Sequence, residues 1–261
     1  MSTKLPLTVC LIAGAEAHRI SRALESVAGW TQEIVVVLNA DVTDGTDDVA
    51  RKHGAQVFRE PWCGFVKQKA SATAKASQQW ILGLDADEVV TPELRAEIER
   101  TISQGSHAQS AYSFPRCTFF CGRWIRHGDW YPDRVTRLWK KDSATWAGID
   151  PHANLEVRGE IGQLRSDLLH YPNETIDRQL AKITSYSEDF LRDAQRTGRP
   201  SRVFDLAFRP GWRFLRSYIF RLGFLDGWQG YYIAWMTAFY TVTRYAKVRE
   251  AQQTASRASG G

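Results

Sequence analysis

The sequence predicts an α/β protein built around a doubly wound, largely parallel sheet. Two observations carry this prediction. From Leu7 to Glu93, short apolar runs alternate with segments of helical periodicity. Just past the fourth apolar run, two carboxylates follow in quick succession, Asp85 and Asp87. Sheets of this class bind ligands beyond the carboxyl ends of their strands.

The elements come in order. Leu7–Ile12 (LTVCLI) is a short apolar run, read as a buried strand. Glu16–Ala28 places Ile20, Leu24 and Val27 at helical spacing. Ile34–Leu38 (IVVVL) is β-branched and unbroken, as expected of a strand covered on both faces. Thr43 is the expected N-cap of a helix reaching His53, with Asp47 and Asp48 in its early turns. Ala55–Phe58 is a third strand, Phe65–Ser77 a helix, and Trp80–Leu84 (WILGL) a fourth strand. Thr91-Pro92-Glu93 opens another helix, with proline suited to the first turn. From Ser110 to Leu169 the texture changes to short strands rich in aromatics, and Thr175–Arg196 reads as a helix. Pro200–Gly211 reads as a break, and an aromatic, basic stretch follows from Trp212 to Glu250.

Bulk composition limits the choices. With 43% hydrophobic and 24% charged residues in a chain of 261, a globular core is expected and disorder is not. The net charge of +5 is unevenly placed: from Phe190 onward twelve Lys and Arg face four Asp and Glu, a local +8. Such a segment suits an anionic partner, nucleic acid or phospholipid. Cys10, Cys63, Cys117 and Cys121 show neither disulfide-framework nor zinc spacing, so reduced thiols in a cytosolic protein are expected. Met1–Pro6 carries a single lysine and no long apolar stretch of the kind a secretory signal needs.

The acidic pair is the sharpest chemical feature. In an extended segment, residues two apart point the same way. Asp85 and Asp87 are therefore expected to face one hard cation that also binds a diphosphate. The alternative is an acidic loop capping the helix near Thr91.

Several longer blocks stand out: ALESV with the strand EIVVV, TDGT at 43–46, REPWCGFVKQK at 59–69 and LDADEV at 84–89. Further on come GRWIRHGDWYPDRVTRLW at 122–139, LLHY at 168–171 and RLGFLDGWQGYYIA at 221–234. With these blocks the chain resembles the family 2 glycosyltransferases of the GT-A fold, and within them the bacterial branch that glycosylates the lipopolysaccharide inner core. The resemblance implies a catalytic domain over 1–172, with a nucleotide-sugar half at 1–109 and an acceptor half at 110–172. A C-terminal helical region at 173–250 and a disordered tail at 251–261 complete the expectation.

The resemblance also implies roles for individual residues. Asp85 and Asp87, flanking Ala86, would bind the metal–diphosphate, with Mg2+ or Mn2+ as the cation. His170 would supply a third contact, which imidazole suits. The ends of the first two strands would hold base and ribose, here at Ala13, Glu16, Asn39 and Asp41. The chain departs from the family where it reads Ala13-Gly14-Ala15-Glu16 in place of a Thr-Lys-Asn-Glu-like run. Lys67 and Lys69 are candidates to face the diphosphate. Inversion needs a general base. The family often places an acid after the histidine of an acceptor-side motif, but Ala153 follows His152 here. Asp150 is the leading candidate, with Asp129 and Asp133 as alternatives. Trp124, Trp130, Trp139 and Trp146 are candidates to stack on acceptor sugars or to fill the core.

Between Arg221 and Arg244 the only charge is Asp226, but Gln229 and glycines 223, 227 and 230 disfavour a spanning helix. Flanking arginines and aromatics fit an interfacial segment better. The expected partners are a nucleotide-sugar such as UDP-glucose, a lipid-linked oligosaccharide and an anionic membrane surface, with no nucleic acid. The expected location is peripheral, on the cytoplasmic face of a bacterial inner membrane. Rival readings are a sugar-phosphate nucleotidylyltransferase and a non-catalytic nucleotide-sugar-binding protein.

Overall fold

The structure is a computed structural model that describes residues 4–104, 108–150, 152–172 and 175–259. It divides into two compact units, 1–116 with 133–170 and 117–132 with 171–261.

The first unit holds the sheet. Its parallel part is β1 (Leu5–Ala13), β2 (Thr31–Asn39), β3 (Gln56–Glu60) and β4 (Trp80–Gly83), in the order β3-β2-β1-β4. The helices between them are α1 (Ile20–Val27), α2 (Thr46–Lys52) and α3 (Phe65–Ala74). β5 (Glu88–Val90) and α4 (Pro92–Ser103) follow. β6 (Ala111–Phe120) begins in this unit and runs on into the next. The β2 run divides as a strand buried on both faces should: Ile34, Val36 and Leu38 enter one core cluster, Val35 and Val37 the other. The first cluster takes Leu24 and Ile98 from α1 and α4, the second Ala72 from α3.

One sequence expectation changes here. The cap of α2 is Gly45, in the left-handed region at φ 87°, rather than Thr43. Asp44 does the capping work: its carboxylate accepts from the Thr46 N–H at 3.1 Å and from the Ala17 N–H at 3.1 Å. The TDGT stretch thereby ties the loop after β1 to the start of α2. Thr91 caps α4 as expected, accepting from the Leu94 N–H at 3.1 Å.

In the second unit, β7 (Arg123–Ile125) pairs with the last residues of β6. Three helices follow: α5 (Ile176–Thr197), α6 (Val203–Leu215), which passes into a π-helical turn at Arg216–Phe220, and α7 (Gly227–Ser259). Residues 117–132, expected in the acceptor half of the catalytic domain, belong with these helices because Phe120 and Ile125 bury against Ile233 of α7. The expected break at Pro200–Gly211 is corrected: Pro210 lies inside α6. The chain turns earlier, at Gly198, the left-handed cap of α5. Packing of α6 along α7 offsets the one backbone hydrogen bond that proline forfeits. The tail expected to be disordered is also corrected, since α7 carries Ala251–Ser259 as helix. AQQTASRAS holds good helix formers and no proline, and a long helix already nucleated extends cheaply.

The remaining strands, back in the first unit, are β8 (Asp133–Lys140), β9 (Ala144–Ile149), β10 (His152–Val157), β11 (Ile161–Gln163) and β12 (Leu168–His170). β8 pairs antiparallel with both β4 and β6 and carries a fully buried Trp139. β9 and β10 form a separate hairpin.

Candidate active site

The acidic turn after β4 is built by its own fourth residue. The Leu84 N–H still donates to Cys10 of β1 at 3.0 Å. The chain then turns: the Glu88 N–H donates to the Asp85 carbonyl at 3.0 Å, and the Glu88 carboxylate accepts from the Asp85 N–H at 3.0 Å. Glu88 is wholly buried. It also accepts from Arg116 Nη1 at 3.2 Å and Arg137 Nη2 at 3.1 Å. A carboxyl group this deep needs such partners to offset its lost hydration.

Asp85 and Asp87 end in opposite environments. Lys69 Nζ donates to Asp85 Oδ1 at 2.6 Å, and Arg137 donates to Oδ2. Burial opposes the charge on Asp85, but the Arg137 and Lys69 cations outweigh it and hold its carboxyl well below the usual range. Asp87 has weaker help, with Arg19 Nη1 at 3.5 Å and His170 Nε2 at 3.7 Å from Oδ2. Burial, then the Asp85 and Glu88 carboxylates, push Asp87 up to about 6. Burial and then Arg116 push His170 down to about 4, so its imidazole is neutral at neutral pH.

The expected cation set of Asp85, Asp87 and His170 is therefore not assembled as a set. Both Asp85 oxygens are taken by cationic side chains. Among the described residues, no three His, Cys, Asp or Glu side chains lie close enough to hold a metal together. Asp87 and His170 do meet. An under-compensated carboxylate beside a neutral imidazole fits a divalent cation that draws its other ligands from a diphosphate.

These groups line a cleft of about 980 Å3 in the first unit. Of the residues expected at the nucleotide, Ala13, Glu16, Asn39, Asp85, Ala86 and Asp87 line it. Asn39 Oδ1 is buried with no hydrogen-bond partner, an acceptor waiting for a donor. Asp41 is exposed in a turn outside the cleft, and Lys67 points to solvent from α3 while Lys69, half a turn on, enters. Of the three base candidates, Asp133 lines the cleft, 2.6 Å from Arg116 Nη2. Asp150 does not line it: its exposed carboxylate accepts from the Val66 N–H at 3.0 Å and caps α3. That cap needs Gly64 at φ 96°, where an added Cβ would stand 1.7 Å from Asp150 Oδ2. Pro151 and the His152 side chain lie outside the described residues. Asp129 belongs to the second unit.

Arg19, Arg116, Arg137 and Trp62 also line the cleft, and sequence reasoning missed them as site residues. A signal existed for Arg137: in DRVTRLW it sits one residue from apolar neighbours on a buried strand, where a charge needs a counter-ion. Trp62 stands on a loop and packs edge-on to Phe65, with ring centroids 4.8 Å apart. Of the tryptophans expected to stack or fill, Trp146 lines the cleft and Trp139 is core.

Residues 8–158 match the Glycosyl transferase family 2 profile, more than half of the chain. The chain belongs to glycosyl transferase family 2. An uncharacterized glycosyltransferase of Rickettsia prowazekii is 30% identical over 94% of this chain and 87% of that one. The lipopolysaccharide core biosynthesis glycosyltransferase LpsC of Rhizobium meliloti is 26% identical over 94% of this chain and 95% of that one. Two solved structures share the fold. The mannosyltransferase PcManGT of Pyrobaculum calidifontis, in complex with GDP-Man and Mn2+, has a TM-score of 0.55 at 12% identity, covering 95% of this chain and 88% of that one. Staphylococcus aureus TarS 1–349 in complex with UDP-GlcNAc has 0.53 at 13% identity, covering 97% and 92%. The enzyme is thus a glycosyltransferase with the GT-A fold and a C-terminal helical region.

Proposed function

We propose that this glycosyltransferase moves a sugar from a nucleotide-diphosphate donor, a UDP-hexose such as UDP-glucose, to a lipid-linked glycan of the lipopolysaccharide inner core, with inversion at the anomeric carbon. One observation carries the reading. β1, β2 and the turn after β4 deliver Ala13, Asn39 and Asp87 to a single cleft of about 980 Å3, where sheets of this class hold nucleotides. The similarity to LpsC supports the acceptor class.

Asn39 Oδ1 accepts a donor from base or ribose. Arg19, held by Glu16, sets a fixed positive charge beside Asp87 for the diphosphate. A divalent cation, Mg2+ or Mn2+, held by Asp87 and His170 would neutralise charge on the departing nucleoside diphosphate. Asp133 takes the proton of the attacking acceptor hydroxyl, Arg116 keeping its carboxylate in place. Asp150 could take that role only after leaving Val66.

A lipid-linked acceptor puts the enzyme on the cytoplasmic face of the inner membrane, as a peripheral protein. The second unit supports this. Exposed Phe204, Phe208 and Trp212 recur every four residues on α6, and exposed Trp228, Tyr231, Trp235 and Phe239 recur three or four apart on α7. These stripes and the local +8 suit an anionic interface. No described helix is long and apolar enough to cross a membrane.

A panel of nucleotide-sugars, offered with lipid-linked core glycan in vesicles and with or without Mn2+, tests the reading. Nucleoside diphosphate should be released only when acceptor and cation are both present. Release of pyrophosphate from a nucleoside triphosphate and a sugar phosphate, or tight donor binding without turnover, would overturn it.

A further inference from the structure

A second cluster of charge lies in the second unit, around Asp129. The Asp129 side chain is only 8% exposed, and three arginines converge on it. Arg216 Nη1 stands 3.1 Å and Arg221 Nη1 3.3 Å from Oδ1, while Arg213 Nη2 is 3.3 Å from Oδ2. The Asp129 N–H is held by Ser217 Oγ at 3.2 Å. Among the described residues, one carboxylate against three guanidiniums leaves two positive charges unmatched. Asp226 does not supply the difference. It is committed to the Arg126 and His127 N–H groups at 3.0 and 2.7 Å and to His127 Nδ1 at 3.0 Å.

The arginines keep donors in hand. A guanidinium carries five N–H donors in a fork that matches phosphate oxygens two at a time, and each of these meets Asp129 through one nitrogen. Arg213 Nε is buried with no hydrogen-bond partner. The three side chains remain 34–41% exposed, so their outer faces are open to a ligand. Like charges gathered around a shielded carboxylate repel one another, and a second anion relieves that repulsion. Next to the arginines in sequence are exposed apolar side chains, Trp212 at 55%, Leu215 at 47%, Ile219 at 47% and Phe220 at 67%, with the Trp212 and Phe220 rings 5.6 Å apart.

We propose that Arg213, Arg216 and Arg221 form a binding site for the phosphomonoester head of an amphiphile, with the neighbouring apolar side chains taking its lipid part. Asp129 acts as a positioning residue that gathers the three forks. The site shares with the proposed function only the membrane. Its test reads head-group preference rather than turnover, so the two can fail separately.

The test is flotation of the full chain with phosphatidylcholine vesicles carrying either phosphatidic acid or phosphatidylglycerol, matched in surface charge, at physiological salt. Wild type should bind the phosphomonoester vesicles about tenfold more tightly, since forked donors read the extra oxygens that matched charge does not. Arg216→Gln with Arg221→Gln should remove the preference. If that variant does not fold by circular dichroism, Arg216→Lys with Arg221→Lys keeps the charge, loses the fork and should remove the preference too. Equal binding to the two vesicles, or a preference that survives in the lysine variant, overturns the proposal. Calorimetry with inorganic phosphate separates the sources: binding as tight as that to phosphatidic acid would make the site one for a soluble phosphate and overturn the amphiphile.

Discussion

The two arginine–carboxylate clusters of this glycosyltransferase differ in what is left over. Around the turn after β4, Arg19, Lys69, Arg116 and Arg137 face Glu16, Asp85, Asp87, Glu88 and Asp133, four cations against five carboxylates. Around Asp129, three cations face one. The first cluster spends nearly all its charge internally, and its least-compensated carboxylate is Asp87. The second ends two positive charges in excess. In a partly desolvated site, unmatched charge is costly and is settled by a ligand of opposite sign. The least-compensated group is an acid at Asp87 and a set of cations around Asp129, and the two proposed ligands match them in sign.

The largest effect expected from breaking this contrast is at Asp87. Asp87→Asn removes the least-compensated negative charge, and turnover should fall by about three orders of magnitude, the scale of losing a fixed electrostatic partner of a departing group. The cation concentration needed for half-maximal rate should rise with it. Asp85→Asn should also lose turnover but through a different cause, since it unpairs Lys69 and Arg137. Normal turnover of Asp87→Asn at unchanged cation demand would remove the metal from Asp87.

Next in size is a structural effect. Arg137→Met takes one of two cationic partners from the wholly buried Glu88 and another from Asp85, and should lower stability by about 3–5 kcal/mol, as stranded buried charges do. Chemical denaturation followed separately in each unit checks this, because two units need not unfold together. A loss below about 1 kcal/mol, the scale of an exposed ion pair, would mean that Glu88 finds water and the cluster is not sealed.

The smallest effects separate the two base candidates. Asp133→Asn should lower kcat about a hundredfold with donor binding unchanged, the lower range of general-base help. Asp150→Ala should cost about 1 kcal/mol of stability from the lost α3 cap and little rate. The reverse pattern in kcat would place the base at Asp150 and require that its bond to Val66 opens during catalysis.

Much of the fold was legible from the chain. The β2 run IVVVL announced a strand covered on both faces, and Thr91-Pro92 announced the start of α4. Asp85 and Asp87 were legible as an acidic turn at the end of β4 because apolar run and acids are adjacent. Their division of labour was not legible. It depends on Lys69 from α3 and Arg137 from β8, which lie 16 and 52 residues away along the chain. Asp150 suffered the same way: an Asp-Pro step looks alike whether its carboxylate faces a cleft or caps a helix 84 residues away. Pro210 misled because propensity is a local rule, and packing of α6 on α7 overrides it.

The sequence by itself determined the parallel sheet, the acidic turn at the end of β4 and the surplus of positive charge beyond Phe190. These follow from periodicity and composition, which act over a few neighbouring residues or none. Only the tertiary structure decided which carboxylate is spent and which is spare, that Asn39 Oδ1 is buried without a partner, and that three arginines meet on Asp129. Such outcomes turn on distances of a few ångströms between side chains remote in sequence. Charge pairing falls off steeply with distance and desolvation, and neither quantity exists until the chain is folded.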